Sequence, residues 1–369
     1  MSCRRARCRV GDFRRIQTMG TPFNSALSRR HFLGGSAMLA GGLATGSLQA
    51  QEAKEVVIAN WGGDWNTRTV KFIEEPLLES KGVKILRDLD GEPERRTKLL
   101  AEMRLPRGRL DVAHVGDYMA TDLQSLGVWQ EIDYSKVPNG KFIQENLKSP
   151  FFLPWQYSAW ILLYDPKKMD KPTSFADLFN PKYAGRVGIN DQHYFHNMEA
   201  AGLVASGNMF DFEAIKKQCA EWKKAVQPKI YPTHQQLQAA FKNGEIDIAA
   251  NYKARGLQFA ADGLSVATSY PKEGGITVIF GACIPKRAQH KDAAHEYLNA
   301  LIDAKGIGDL VQASFYTPSV TNAITPADFK EKSGFTEDEQ KKLLFQDFAY
   351  LAKNSTTTWL EWWNKEFKS

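Results

Sequence analysis

Four short stretches place polar side chains beside aromatic rings directly after an apolar run. They are Trp61 with Asp64, Asp117 with Tyr118, Asp191 with Gln192, His193 and Tyr194, and Asn251 with Tyr252, Lys253 and Arg255. Flat rings can enclose a small molecule while charges fix its ends, so the chemistry on offer is non-covalent capture of a polar solute. Each ring taken singly is as well explained by core packing, because Trp and Tyr are buried on average. The joint placement carries the inference. Bond-making chemistry is poorly represented. No GxSxG, HExxH, P-loop or GxGxxG pattern occurs in the mature chain. His193 and His196 lie three residues apart, but no acid or Cys completes a recognisable set, and a catalytic metal takes three protein ligands. No catalytic residue, cofactor or metal is expected.

The elements that must position these residues alternate between strand and helix. Val56, Val57 and Ile58 are a β-branched run typical of a buried strand. Gly62 and Gly63 then open a loop over 60–64 that lets backbone approach a bound molecule. Further strands are expected over 83–89 and 110–115, with helices over 67–80 and 97–105 and a helix stop at Gly127. The extended stretch 154–164 is longer than an ordinary strand and can leave one domain for another. Beyond it come a helix near 174–179, strands over 186–189 and 246–250, and helices over 211–225 and 234–243. A strand over 276–284 crosses back. The chain ends mostly helical, with Trp359, Trp362 and Trp363 on one helix face as packing residues. This alternation predicts doubly wound α/β domains, whose ligands sit outside the carboxyl ends of the strands.

The chain has 369 residues and a formal charge of +6, but that charge belongs to its start. Residues 1–50 hold eight Arg and one acid, and the remainder has 40 Lys and Arg against 41 Asp and Glu. Nothing in that balance favours nucleic acid. Ser28, Arg29, Arg30, His31, Phe32 and Leu33 form a twin-arginine export pattern, followed by a small, apolar stretch over 34–48. Cleavage is expected after Ala50, and Met19 is the expected start codon. Cys3 and Cys8 go with the leader, while Cys219 and Cys283 remain and could pair in an oxidising compartment.

The mature chain resembles periplasmic solute-binding proteins of ABC importers, specifically the spermidine/putrescine-binding group of extracellular solute-binding family 1. The most specific pieces are SFADLFNPKYAGRV at 174–187, NGEIDIA at 243–249 and YPKEGGI at 270–276, with NWGGDW at 60–65 matching the family's Asn-Trp loop. The resemblance implies a two-lobed α/β fold of two doubly wound domains joined by crossing hinge strands. Lobe 1 would comprise 51–157 and 282–325, lobe 2 would comprise 158–281, and 326–369 would pack across both. It implies a periplasmic monomer that captures a solute by cleft closure and delivers it to an inner-membrane permease. Trp61 and Tyr118 match cleft-lining aromatics, and Tyr252 stands where polyamine binders place Trp. Asp191 sits at the acidic junction of the second lobe. Gln192, Phe195 and Phe280 stand where the family carries acids, and Val278 where it carries an aromatic. Lys253 and Arg255 add positive charge. Each buried ammonium of a polyamine needs an acid or a cluster of acceptors. The expected ligand is therefore a small solute with an acidic or hydroxyl-rich end, such as a zwitterion, an opine-like conjugate or a phosphonate-like compound. A putrescine/spermidine binder is the alternative, and an exported cofactor-dependent enzyme or an adhesive surface protein are the alternatives of other classes.

Overall fold

The computed structural model describes residues 54–369, so the expected export leader and its expected cleavage site lie outside the described residues. Nine strands carry the argument: β1 (Glu55–Asn60), β2 (Lys84–Leu89), β3 (Val112–Gly116), β4 (Leu153–Tyr164), β5 (Val187–Asn190), β6 (Lys229–Tyr231), β7 (Ile248–Tyr252), β8 (Ala267–Ser269) and β9 (Gly275–Cys283). They belong to one sheet whose main path runs β2-β1-β3-β9-β4-β7-β5-β6, with β8 and the short strand Thr317–Pro318 on β4 and Leu343–Leu344 on β9.

That order contains the same motif twice. β1 pairs parallel with β2 and β3, and β3 pairs antiparallel with β9. β5 pairs parallel with β6 and β7, and β7 pairs antiparallel with β4. The two half-sheets meet along β4 and β9, which pair antiparallel from Leu153 with Ala282 to Trp160 with Ile276. This is the two-lobed α/β fold, and β4 and β9 are its crossing strands. In each half the chain order reverses beside the first strand, which creates a switch point between β1 and β3 and another between β5 and β7.

Side chains alternate across a strand, and β4 shows what that does here. Tyr157, Ala159, Ile161 and Leu163 enter one apolar layer, while Trp160, Leu162 and Tyr164 enter the other. The first layer continues through β1, β3 and helices Lys291–Leu301 and Ala304–Ser314. The second holds helices Tyr194–Ser206 and Phe212–Ala225 and the fully buried Trp359 and Trp363. Cys219 and Cys283 lie in different layers, both free and buried. No described helix is long and apolar enough to cross a membrane.

Three helices begin where the sequence reading had loops. The first runs Gly63–Thr69, entered through Gly63 at φ +62°, a left-handed turn that a side chain disfavours. The second runs Glu92–Glu102 rather than from 97, with Pro93 preorganised in its first turn. The third, Tyr194–Ser206, is apolar or small almost all round and buried, so no stripe announced it.

Candidate functional site

At four strand ends an Asx side chain turns back on the chain. The Asn60 Oδ1 accepts the Trp61 N–H at 2.8 Å, and the Asp117 Oδ1 accepts the Tyr118 N–H at 2.7 Å. The Asn251 Oδ1 accepts the Tyr252 N–H at 2.8 Å, and the Asn190 Oδ1 accepts the Gln192 N–H at 3.1 Å. These ends of β1, β3, β5 and β7 flank the two switch points, and the local bond directs the residue after each strand.

The centre is Phe280, on the crossing strand β9. Its ring lies 5.7 Å from Trp61, 5.0 Å from Trp65, 6.0 Å from Tyr252 and 5.5 Å from Tyr316. Phe280 and Tyr118 pack against both apolar layers. Tyr118 meets Phe195 of the other half at 5.9 Å. Tyr252 extends the cluster to His193 at 5.0 Å, His234 at 5.4 Å and Trp160 at 5.3 Å. Its hydroxyl lies 3.0 Å from His193 Nδ1, and His193 Nε2 lies 3.0 Å from His234 Nε2. Behind Trp61 the fully buried Arg95 guanidinium sits 4.9 Å over the ring.

The structure thus brings together Trp61, Asp117, Tyr118, His193, Tyr252 and Arg255. Arg255 donates to Gln258 Oε1 at 2.8 Å, its buried Nε has no partner, and it forms no ion pair among the described residues. Its charge, after burial and His196, helps to hold His193 neutral. The Asp117 carboxylate is occupied, because its Oδ2 accepts the Ile279 N–H at 2.7 Å and so ties the first half-sheet to the crossing strand.

Four other expected residues stand outside this cluster. Asp64 is exposed in a helix first turn, 3.6 Å from Arg68. Gln192 is exposed. Asp191 accepts from Trp363 Nε1 at 2.7 Å and Lys368 Nζ at 2.8 Å, so it anchors the C-terminal segment. Lys253 donates to the Gly334 carbonyl, lies 3.1 Å from Glu339 and sits 4.7 Å over Phe335. Its charge is used to hold the chain near 334–339.

Sequence reasoning missed Glu92, whose Oε1 accepts the Gly116 N–H at 2.8 Å and so places a carboxylate at the end of β3. It also missed His234. Both open helices after β2 and β6, so the strand-end rule applied to six strands rather than four would have found them. Among the described residues no three His, Cys, Asp or Glu group to hold a metal ion.

Burial dominates the electrostatics. It pushes Asp117 up to about 8 against the opposing pull of its two N–H donors. It pushes Glu199 up to about 8 as well, where His196 Nδ1 lies 2.9 Å away and Gln346 donates. Burial also holds His114 and His196 down to about 3 and keeps His193 and His234 well below the ordinary value. The two acids keep protons in the folded state that the unfolded chain releases above about pH 4, so they withdraw stability as pH rises to about 8. The four histidines do the reverse, adding stability as pH rises to about 6.5. Above that only the acids act. The melting temperature is therefore expected to fall between pH 6.5 and 8, and Glu199→Gln to flatten the fall. A thermal melt series across that window checks it, and a rising midpoint would contradict it.

A family model described as bacterial extracellular solute-binding protein matches residues 75–337. The chain belongs to that family. The spermidine/putrescine-binding periplasmic protein of Escherichia coli (strain K12) is 25% identical over 254 residues, covering 64% of this chain and 71% of that one. The Atu4243-GABA receptor structure aligns with a TM-score of 0.74 at 18% identity, over 84% of this chain and 97% of that one. The agropinic acid complex of AgtB from A. tumefaciens R10 gives 0.68 at 20% identity, over 84% and 98%. These likenesses confirm the two-lobed fold. The chain is an extracellular solute-binding protein by family. The curated relatives it matches are named as periplasmic binding proteins.

Proposed function

We propose that this chain captures a small polar organic solute carrying an acidic or hydroxyl-rich end and at most one amine. The observation that carries the reading is Arg255, a half-buried cation with no carboxylate partner in a cluster that draws side chains from both half-sheets around Phe280. A diamine would need two acids. Asp117 has both oxygens on backbone N–H groups, and Glu199 is taken up by His196 and Gln346. Placing a second ammonium beside Arg255 would bury like charges together. Arg95 already occupies a face of Trp61, which weakens that ring as a cation platform. GABA and agropinic acid, for which two structural neighbours are named, fit these charges better than the spermidine and putrescine of the sequence relatives.

Capture would proceed by closure. Ligand touching both half-sheets favours the closed form, with β4 near 155–160 and β9 near 275–280 absorbing the motion. We assign lobe 1 to 51–157 and 282–325, lobe 2 to 158–281, and the strap across them to 326–369. The protein would be exported by its twin-arginine leader, act as a monomer, carry out no catalysis, and dock on an inner-membrane permease. Calorimetric titration of the mature protein with putrescine and spermidine tests the ligand class. Affinity weaker than 1 mM is expected, on the order of 4 kcal/mol or less of binding free energy. Sub-micromolar binding of either would overturn it.

A further inference from the structure

Glu92 is a carboxylate at the end of β3 with an oxygen to spare. Its Oε1 is anchored by the Gly116 N–H, no hydrogen bond reaches its other oxygen among the described residues, and the residue retains solvent access. Gly116 is paired with Phe280 across β3 and β9, so the anchor fixes this carboxylate beside the central ring. A Cβ at Gly116 would sit 3.4 Å from Glu92 Oε1, in ordinary contact, so the two residues are packed together. Burial pushes the Glu92 pKa up, against the pull of the Gly116 N–H and of Arg95, so an arriving ammonium group would favour its ionised form. Arg95, one turn along the same helix, does not neutralise Glu92 by contact. Its guanidinium is committed to the carbonyls of His114 and Asp90 and to the Asp90 carboxylate at 2.9 Å. In the other half, Arg255 is a cation held by one bond to Gln258 with its Nε unpaired. The buried Asn60 Nδ2 at the end of β1 also lacks a partner, a spare donor.

We propose that Glu92 and Arg255 are the opposite poles of a site selective for zwitterions, Glu92 taking the ammonium group and Arg255 the carboxylate of one amino-carboxylate solute. The proposal rests on the solute-binding reading above. It explains why one acid and one cation, on different halves of the sheet, are left incompletely satisfied. Closing the cleft would bring the solute's two charges against both poles at once, so each half alone would hold it weakly.

Three four-carbon probes separate the end groups at constant length: 4-aminobutyrate, putrescine and succinate. Titrated into protein stripped of bound solute by unfolding and refolding, 4-aminobutyrate is expected to bind at least tenfold more tightly than either symmetric probe. Glu92→Gln is expected to weaken 4-aminobutyrate about tenfold or more while leaving butyrate, which lacks the amine, unchanged. Arg255→Gln should weaken both, and it provides the readout if the Glu92 variant does not fold. Equal or tighter binding of putrescine or succinate would overturn the assignment, as would an unselective loss in Glu92→Gln. Failure of all three probes would overturn it too. In that case compaction in X-ray scattering on adding the solutes released by the native protein would leave the solute-binding reading standing. Absence of compaction would end both.

Discussion

A Trp61→Ala variant is expected to fold and to lose about 30-fold or more in solute affinity. Trp61 follows β1 through the Asn60 turn, and its ring edge meets Trp65 and Phe280. It is only half-buried, so part of the ring remains available to a guest. Aromatic anchors of this kind typically cost about 2 kcal/mol or more of binding when truncated, which is the basis of the 30-fold figure. The folding cost should be below the roughly 3–5 kcal/mol of a fully buried Trp, because the ring is only partly buried. Titration of wild type and variant with the solute fraction released from denatured native protein checks it. Unchanged affinity in a folded variant would place the guest elsewhere.

Arg95→Leu should act on stability instead, by about 3–5 kcal/mol. The guanidinium is fully buried and serves two backbone carbonyls and the Asp90 carboxylate. Removing it strands a nearly buried acid, left only with Lys98 at 3.0 Å, whose side chain is itself part-exposed. Lys98→Ala serves as the contrast, since exposed pairs contribute about 1 kcal/mol or less. Urea denaturation midpoints of the two variants would show the difference. Equal, small shifts would mean that Arg95 is not the post behind Trp61 described here.

The fold was legible because strand signals are local. The β-branched start of β1, the overlong β4 and the return strand β9 could each be read from residue type and length alone. So could the four strand ends, since a polar residue beside an aromatic after an apolar run is a short-range pattern. What escaped depended on distance. Lys253 and Asp191 look like ligand groups in sequence, but their partners Glu339 and Trp363 lie more than 80 and 170 residues away. The meeting of Phe280 with Trp61 and Tyr252 is set by the register of β9 on β3 and β4, which no local signal encodes. Glu92 was hidden by a helix start placed five residues late, with Pro93 the overlooked cue.

The central claim is that one guest is gripped between two half-sheets hinged on β4 and β9. The direct measurement is the radius of gyration of stripped protein, by X-ray scattering, before and after returning the small-molecule fraction released from the native protein. The account predicts a decrease on return, abolished in Trp61→Ala. An unchanged radius in wild type, with the fraction shown to contain bound solute, would contradict it.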